Sequence, residues 1–210
     1  NAWIKPLKFF LSTIFFVTAM AWYMYHNKRK KAVLIYSWVI ILVLTFENIV
    51  IVWQAANGRL SHFNISTPLY GLLFSLMGVA ITIMTLWTLY IGILFFLQKN
   101  FNLPFQYVWA IRIAILFFVF FAFEGGIMAA QLKHTVGAPD GSEGLPLLNW
   151  SKLHGDLRVA HFAGMHSLQI IPLFGWFIAK TKSHVILFSA AYLLLVLFLL
   201  WQALKGIPLF

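Results

Sequence analysis

Six long stretches of this chain are nearly free of charge, and each is long enough to cross a bilayer. A crossing helix needs roughly 20 apolar residues, and runs at about 6–25, 33–56, 69–97, 105–131, 158–179 and 184–204 meet that length. They are apolar throughout rather than alternating, which predicts helices and not the strands of a barrel. Composition agrees: the 210 residues are 62% hydrophobic and only 10% charged, where a soluble domain carries about 25% charged residues. The expected fold is an all-α integral membrane protein, a bundle of six transmembrane helices making one domain over residues 1–210. A span preceding Asn1 would make seven.

Most of the cations behind the net charge of +10 sit in the connections between runs. HNKRKK at 26–31, QKNFNLP at 98–104 and KTKSH at 180–184 contain no acid, which places these three in the cytoplasm. Such short basic flanks predict anchoring at the lipid bilayer and no nucleic-acid partner. NGRLSHFNISTP at 57–68 and KHTVGAPDGSEGLPLLNWSKLHGDLR at 133–158 then fall on the outer face. The second is long and rich in Gly and Pro, so residues 132–157 are expected to form an outer-face lid between the fourth and fifth helices. The absence of cysteine excludes disulfides, thiolate metal sites and a thiol nucleophile.

The scarce polar groups are unevenly placed. The only acids are Glu47, Glu124, Asp140, Glu143 and Asp156; two lie inside apolar runs. By helical rise, Glu47 stands about 13 Å below the outer end of the second run, Glu124 about 10 Å below that of the fourth, and His166 about 12 Å into the fifth. Ionisable groups at such depth need partners, and a shared depth on three helices suggests one pocket. Gln54 follows Glu47 by two helical turns. HGDLRVAHFAGMH at 154–166 adds His154, Asp156, Arg158 and His161 above His166, and His62, Arg59 and Asn64 stand in the other outer connection. Plainer roles exist as well: Asp156 as a helix cap, Arg158 as a headgroup anchor or its salt-bridge partner, His161 as an interfacial residue.

ENIVIVWQAANGRLSHFN at 47–64 and HTVGAPDGSEGLPLLNWSKLHGDLRVAHFAGMHSLQIIPL at 134–173 together resemble the hallmark segments of an uncharacterised group of bacterial multi-pass membrane proteins. The resemblance covers about a quarter of the chain, by the helix lengths above. It implies a place in the bacterial inner membrane. It also implies that Glu47, Gln54, Arg59, His62, Asn64, His134, Asp140, Trp150, Asp156, Arg158, His161, His166 and Gln169 are features of the group. It brings no reaction with it.

Imidazoles and carboxylates together suit Zn, Cu, Fe or Mn. The leading expectation is an outward-facing pocket holding a metal ion or haem for redox chemistry. His62, His161, His166, Glu47 and Glu124 are its candidate ligands. Gln54, Arg59, Asn64, Asp156, Arg158 and Gln169 would surround the cofactor and fix imidazole tautomer and orientation. Spacing adds little support: Glu-x-x-His is absent, and a His-to-His interval of five fits no zinc-protease signature. One alternative is a proton-coupled transporter or ion-handling module, for which the cytoplasmic half offers no matching polar path. Another is a structural subunit of a larger membrane complex. A hydrolase is weaker, since Ser61 and Ser151 lack a nucleophile elbow. Whether the chain is an enzyme stays open at this point.

Overall fold

The structure is a computed structural model and describes residues 2–141 and 143–210. Its elements are α1 (Ile4–Tyr25), α2 (Lys30–Ala56), α3 (Pro68–Leu97), α4 (Phe105–Gln131), β1 (Thr135–Val136), β2 (Gly155–Asp156), α5 (Leu157–Phe177) and α6 (Lys182–Leu204). All six apolar runs are therefore helical. Five of the helices, all but α5, are long and apolar enough to cross a membrane; α5 carries Arg158, His161, His166, Ser167 and Gln169. The chain forms two compact units, Asn1–Asn102 and Leu103–Phe210.

In the first unit, α2 buries Tyr36, Ile40, Glu47, Ile51 and Gln54, which recur at helical spacing along one face. The Tyr36 hydroxyl lies 2.5 Å from Thr88 Oγ1 and pins α2 to α3. Asn48 Nδ2 donates to Thr13 Oγ1 at 3.3 Å and ties α2 to α1. Val50, Ile51 and Met77 form an apolar core, flanked by Phe9, Phe46 and Leu73. Thr67 caps α3 by accepting from the Tyr70 N–H, with Pro68 in the first turn, where its missing N–H costs nothing. At the other end Gln98 accepts from the Lys28 N–H and donates to the His26 carbonyl, closing the α1–α2 turn onto α3.

In the second unit α4 and α5 run in opposite directions and lie close together. Gly125 faces His161, Phe121 faces Gly164, and Ala110 faces Gly175. A Cβ added at Gly164 would stand 2.0 Å from Phe121 Cγ, and one at Gly175 2.5 Å from Ala110 Cβ, so both positions must stay small. Small residues at such crossings let helix backbones approach where the hydrophobic effect cannot drive association. Ser167 Oγ donates across the crossing to the Ala114 carbonyl at 3.3 Å. From α6, the Tyr192 hydroxyl donates to the Ala163 carbonyl, and Phe188 stacks on Phe174 with centroids 4.0 Å apart.

The 132–156 connection has structure of its own. Leu132 ends α4 in the left-handed region. Strands β1 and β2 then pair antiparallel, Thr135 against Asp156 and Val136 against Gly155. The Leu157 N–H continues the ladder to the His134 carbonyl. Gly155 lies so close to α6 that a Cβ there would meet the Ala203 carbonyl oxygen at 2.0 Å.

Candidate functional site

Asp156 is the hub of that connection. As the N-cap of α5 its side chain accepts from the Arg158 backbone N–H, satisfying one of the donors a helix start leaves open. It also accepts from the Ser151 N–H at 2.9 Å and from Arg158 Nε at 2.9 Å and Nη2 at 2.6 Å. Arg158 in turn donates to the Asn149 carbonyl. Burial by itself would raise the Asp156 pKa. The bond and charge of Arg158, the Ser151 N–H and His134 outweigh it and hold the carboxyl below its ordinary 3.8. The plainer roles read from sequence for Asp156 and Arg158, cap and salt-bridge partner, are the ones these contacts describe.

Two further side chains of the connection accept backbone N–H groups in the same way. Asp140 accepts from the His134 and Thr135 N–H groups and lies 3.3 Å from His134 Nδ1. Ser151 Oγ accepts from the N–H groups of Leu153 and His154, so it serves as a turn acceptor. Trp150 packs edge-on against Phe162 of α5, and Phe162 lies 4.2 Å, centroid to centroid, from the His166 ring.

One turn below Asp156, a different arrangement begins. His161 Nδ1 lies 3.1 Å from Glu124 Oε2. The Glu124 side chain is 3% exposed and that of His161 27%. The second carboxylate oxygen, Glu124 Oε1, is buried and has no hydrogen-bond partner among the described residues. Gly125 makes room for the ring: a Cβ there would meet His161 Cε1 at 2.8 Å. Shared depth suggested that Glu124 and His166 belong together, but the residue that reaches Glu124 is His161. His166 Nδ1 lies 3.2 Å from Gln169 Oε1 on its own helix.

The candidates in the first unit are placed as follows. Glu47 and Gln54 are buried on α2, and Glu47 Oε1 and Gln54 Oε1 lack hydrogen-bond partners among the described residues. Arg59 is exposed. Asn64 Nδ2 donates to the Leu60 carbonyl and Oδ1 accepts from Ser66, an Asx-type loop clasp. His62 Nδ1 lies 3.0 Å from Ser61 Oγ, and its ring packs against Phe9, Phe63 and Phe74. Burial first, and the Lys5 charge second, hold the His62 pKa well below 6.5, so the ring is neutral at pH 7.

Among the described residues no three His, Asp or Glu side chains are grouped as a metal ion would need. Sequence reasoning did not single out Gly125, Gly164 or Thr135. The signal for the glycines was present: Ala110 and Ala114, and Ala160 and Gly164, are small residues four apart on α4 and α5, the spacing of close helix crossings. No family model, curated protein or solved structure matches this chain.

Proposed function

We propose that this chain is a multi-pass membrane protein whose second unit presents His161 as ligand to a metal centre, with Glu124 fixing the ring from behind. The observation that carries this reading is the 3.1 Å contact between His161 Nδ1 and Glu124 Oε2. A carboxylate on one imidazole nitrogen selects the tautomer protonated there and leaves the other nitrogen as donor, as behind most metal-bound histidines. Lacking a group of three protein ligands among the described residues, the site suits a centre that brings most of its own donors. A haem iron would do so, and His161 would hold it through Nε2. A redox role follows from that class of centre. All six helices cross the bilayer in this reading, with the 132–156 connection outside by the charge bias of the loops. The resemblance at 47–64 and 134–173 supports a bacterial inner membrane, with the site toward the periplasm.

The test is an absorption spectrum with elemental analysis on the full chain purified in mild detergent. The expected result is a Soret band or stoichiometric metal that His161→Ala abolishes, while Glu124→Gln weakens binding by about 10- to 100-fold. A colourless, metal-free protein that takes up neither haem nor metal contradicts the reading.

The buried, unpartnered Glu124 Oε1 favours a second reading, in which the pair holds and passes a single proton. Its signature is a protonated-carboxyl band in the infrared difference spectrum that disappears in Glu124→Gln.

A further inference from the structure

We propose that Glu47 is a proton-binding site of the first unit: it stays a carboxylic acid in the folded protein and exchanges its proton by way of Gln54, toward the Ala56 end of α2. This rests on the membrane reading but not on the metal centre or on Glu124.

The polar residues that α2 buries are Tyr36, Glu47 and Gln54. Glu47 is 4% exposed and Gln54 1%. Two helical turns separate them, so they share a face about 10 Å apart along the axis. Glu47 Oε1 and Gln54 Oε1 are both buried and have no hydrogen-bond partner among the described residues. An ionised carboxylate left unmet in an apolar interior costs far more than a neutral acid, so the group neutralises by holding a proton.

The helices packed on α2 in this unit are α1 and α3. The Asn48–Thr13 and Tyr36–Thr88 contacts set their register, which brings Glu47 level with Ile14 and Met77. Val50, Ile51 and Met77 form the apolar core beside it. Helix α3 carries no charged side chain. On α1, Lys8 lies about 9 Å further toward the Ala56 end by helical rise, and Lys5 beyond it. Lys30 and Lys31 open α2, close to His26, while Arg59 and His62 stand in the connection past its other end. The phenols of Tyr23, Tyr25, Tyr36, Tyr70 and Tyr90 are about two turns or more from this level.

The two directions along the face differ. Toward the start of α2 the next buried polar group is Tyr36, whose hydroxyl lies 2.5 Å from Thr88 Oγ1, and Thr88 donates to the Met84 carbonyl at 2.8 Å. That pair is engaged, and using it to relay a proton would break a bond already made. Toward Ala56 the next is Gln54, whose amide oxygen is open to accept from a relaying water. The Ala56 end is the outer one by the charge bias of the loops.

The test is infrared spectroscopy of the full chain in mild detergent at pH 7, where an ordinary carboxyl is ionised. A Glu124→Gln background silences the other buried carboxyl, so the result is independent of the His161 site. A protonated-carboxyl band is expected that vanishes in Glu47→Gln and moves to a new frequency in Glu47→Asp. The aspartate variant keeps the acid and reads the site even where the glutamine variant fails to fold. On transfer to heavy water the band should shift. Gln54→Leu should slow that shift by about tenfold, the loss of one hydrogen bond on the exchange path, while Tyr36→Phe leaves its rate unchanged. No band at pH 7, or one that Glu47→Gln and Glu47→Asp both leave in place, overturns the site. An exchange rate untouched by Gln54→Leu, or slowed as much by Tyr36→Phe, overturns the route.

Discussion

Asp156 and Glu124 are equally buried carboxylates of one unit, with side-chain exposures of 2% and 3%. Their surroundings are opposite. Asp156 accepts two backbone N–H bonds and a two-pronged grip from Arg158. Glu124 has one imidazole on one oxygen and nothing on the other among the described residues. Desolvating a carboxylate is expensive unless something meets it. For Asp156 the protein itself does so completely, which is what a structural hub requires. For Glu124 the described residues do half of it. Saturation, not burial, separates Asp156, which holds the fold, from Glu124, which keeps one oxygen unmet among the described residues.

The contrast can be broken most forcefully at the hub. Asp156→Ala removes the α5 cap and strands Arg158, and should cost about 3 kcal/mol in thermal unfolding in detergent. An unchanged melting temperature would show that the network is ornamental. Gly164→Val drives a side chain into Phe121 and should cost about 2 kcal/mol by overpacking, visible in the same melt.

The next effects are smaller and pH-dependent. The Asp156 carboxyl lies below its unfolded value, so its stabilisation is present above pH 3.8 and lost as pH falls through the folded value. Asp156→Asn should flatten that acid limb. His62 is a base whose folded pKa is depressed. The unfolded chain takes up a proton there that the native chain refuses, so stability falls as pH drops below 6.5. His62→Phe should remove that slope, and a slope that persists would locate the proton elsewhere. The smallest effect on stability belongs to Gly125→Ala, under about 1 kcal/mol because the crowded atom is the end of a ring that can shift. That shift parts His161 from Glu124, so binding of a metal or haem should weaken as in Glu124→Gln, by about 10- to 100-fold.

Much of the fold was legible because apolar length is a coarse signal. The fourth run was read at 105–131 and α4 is Phe105–Gln131; α2 starts at Lys30, earlier than its apolar run, because the basic flank is itself helical. The cap at Asp156 was legible too, since an Asp before an apolar run has a local physical meaning. The partner of Glu124 was not. Depth along a helix counts residues from loop ends, and His161 and His166 differ by little more than a turn on that scale. The choice between them is made by where α5 lies against α4, which Gly125, Gly164 and Gly175 set by their lack of a side chain. Asp140 and Ser151 work through backbone N–H groups, whose directions depend on a loop path that composition does not encode.

The most direct measurement is a paired thermal melt of Glu124→Gln and Asp156→Asn in the same detergent, against the wild type. Removing the charge from an unsaturated carboxylate should leave the melting temperature equal or higher, because a buried, half-met group is replaced by a neutral one of the same shape. Removing it from the saturated carboxylate should lower the melting temperature by several degrees, since Arg158 loses its counter-charge. If Glu124→Gln falls as far as Asp156→Asn, the His161–Glu124 contact is a structural bond like the others and the distinction between the two sites is wrong.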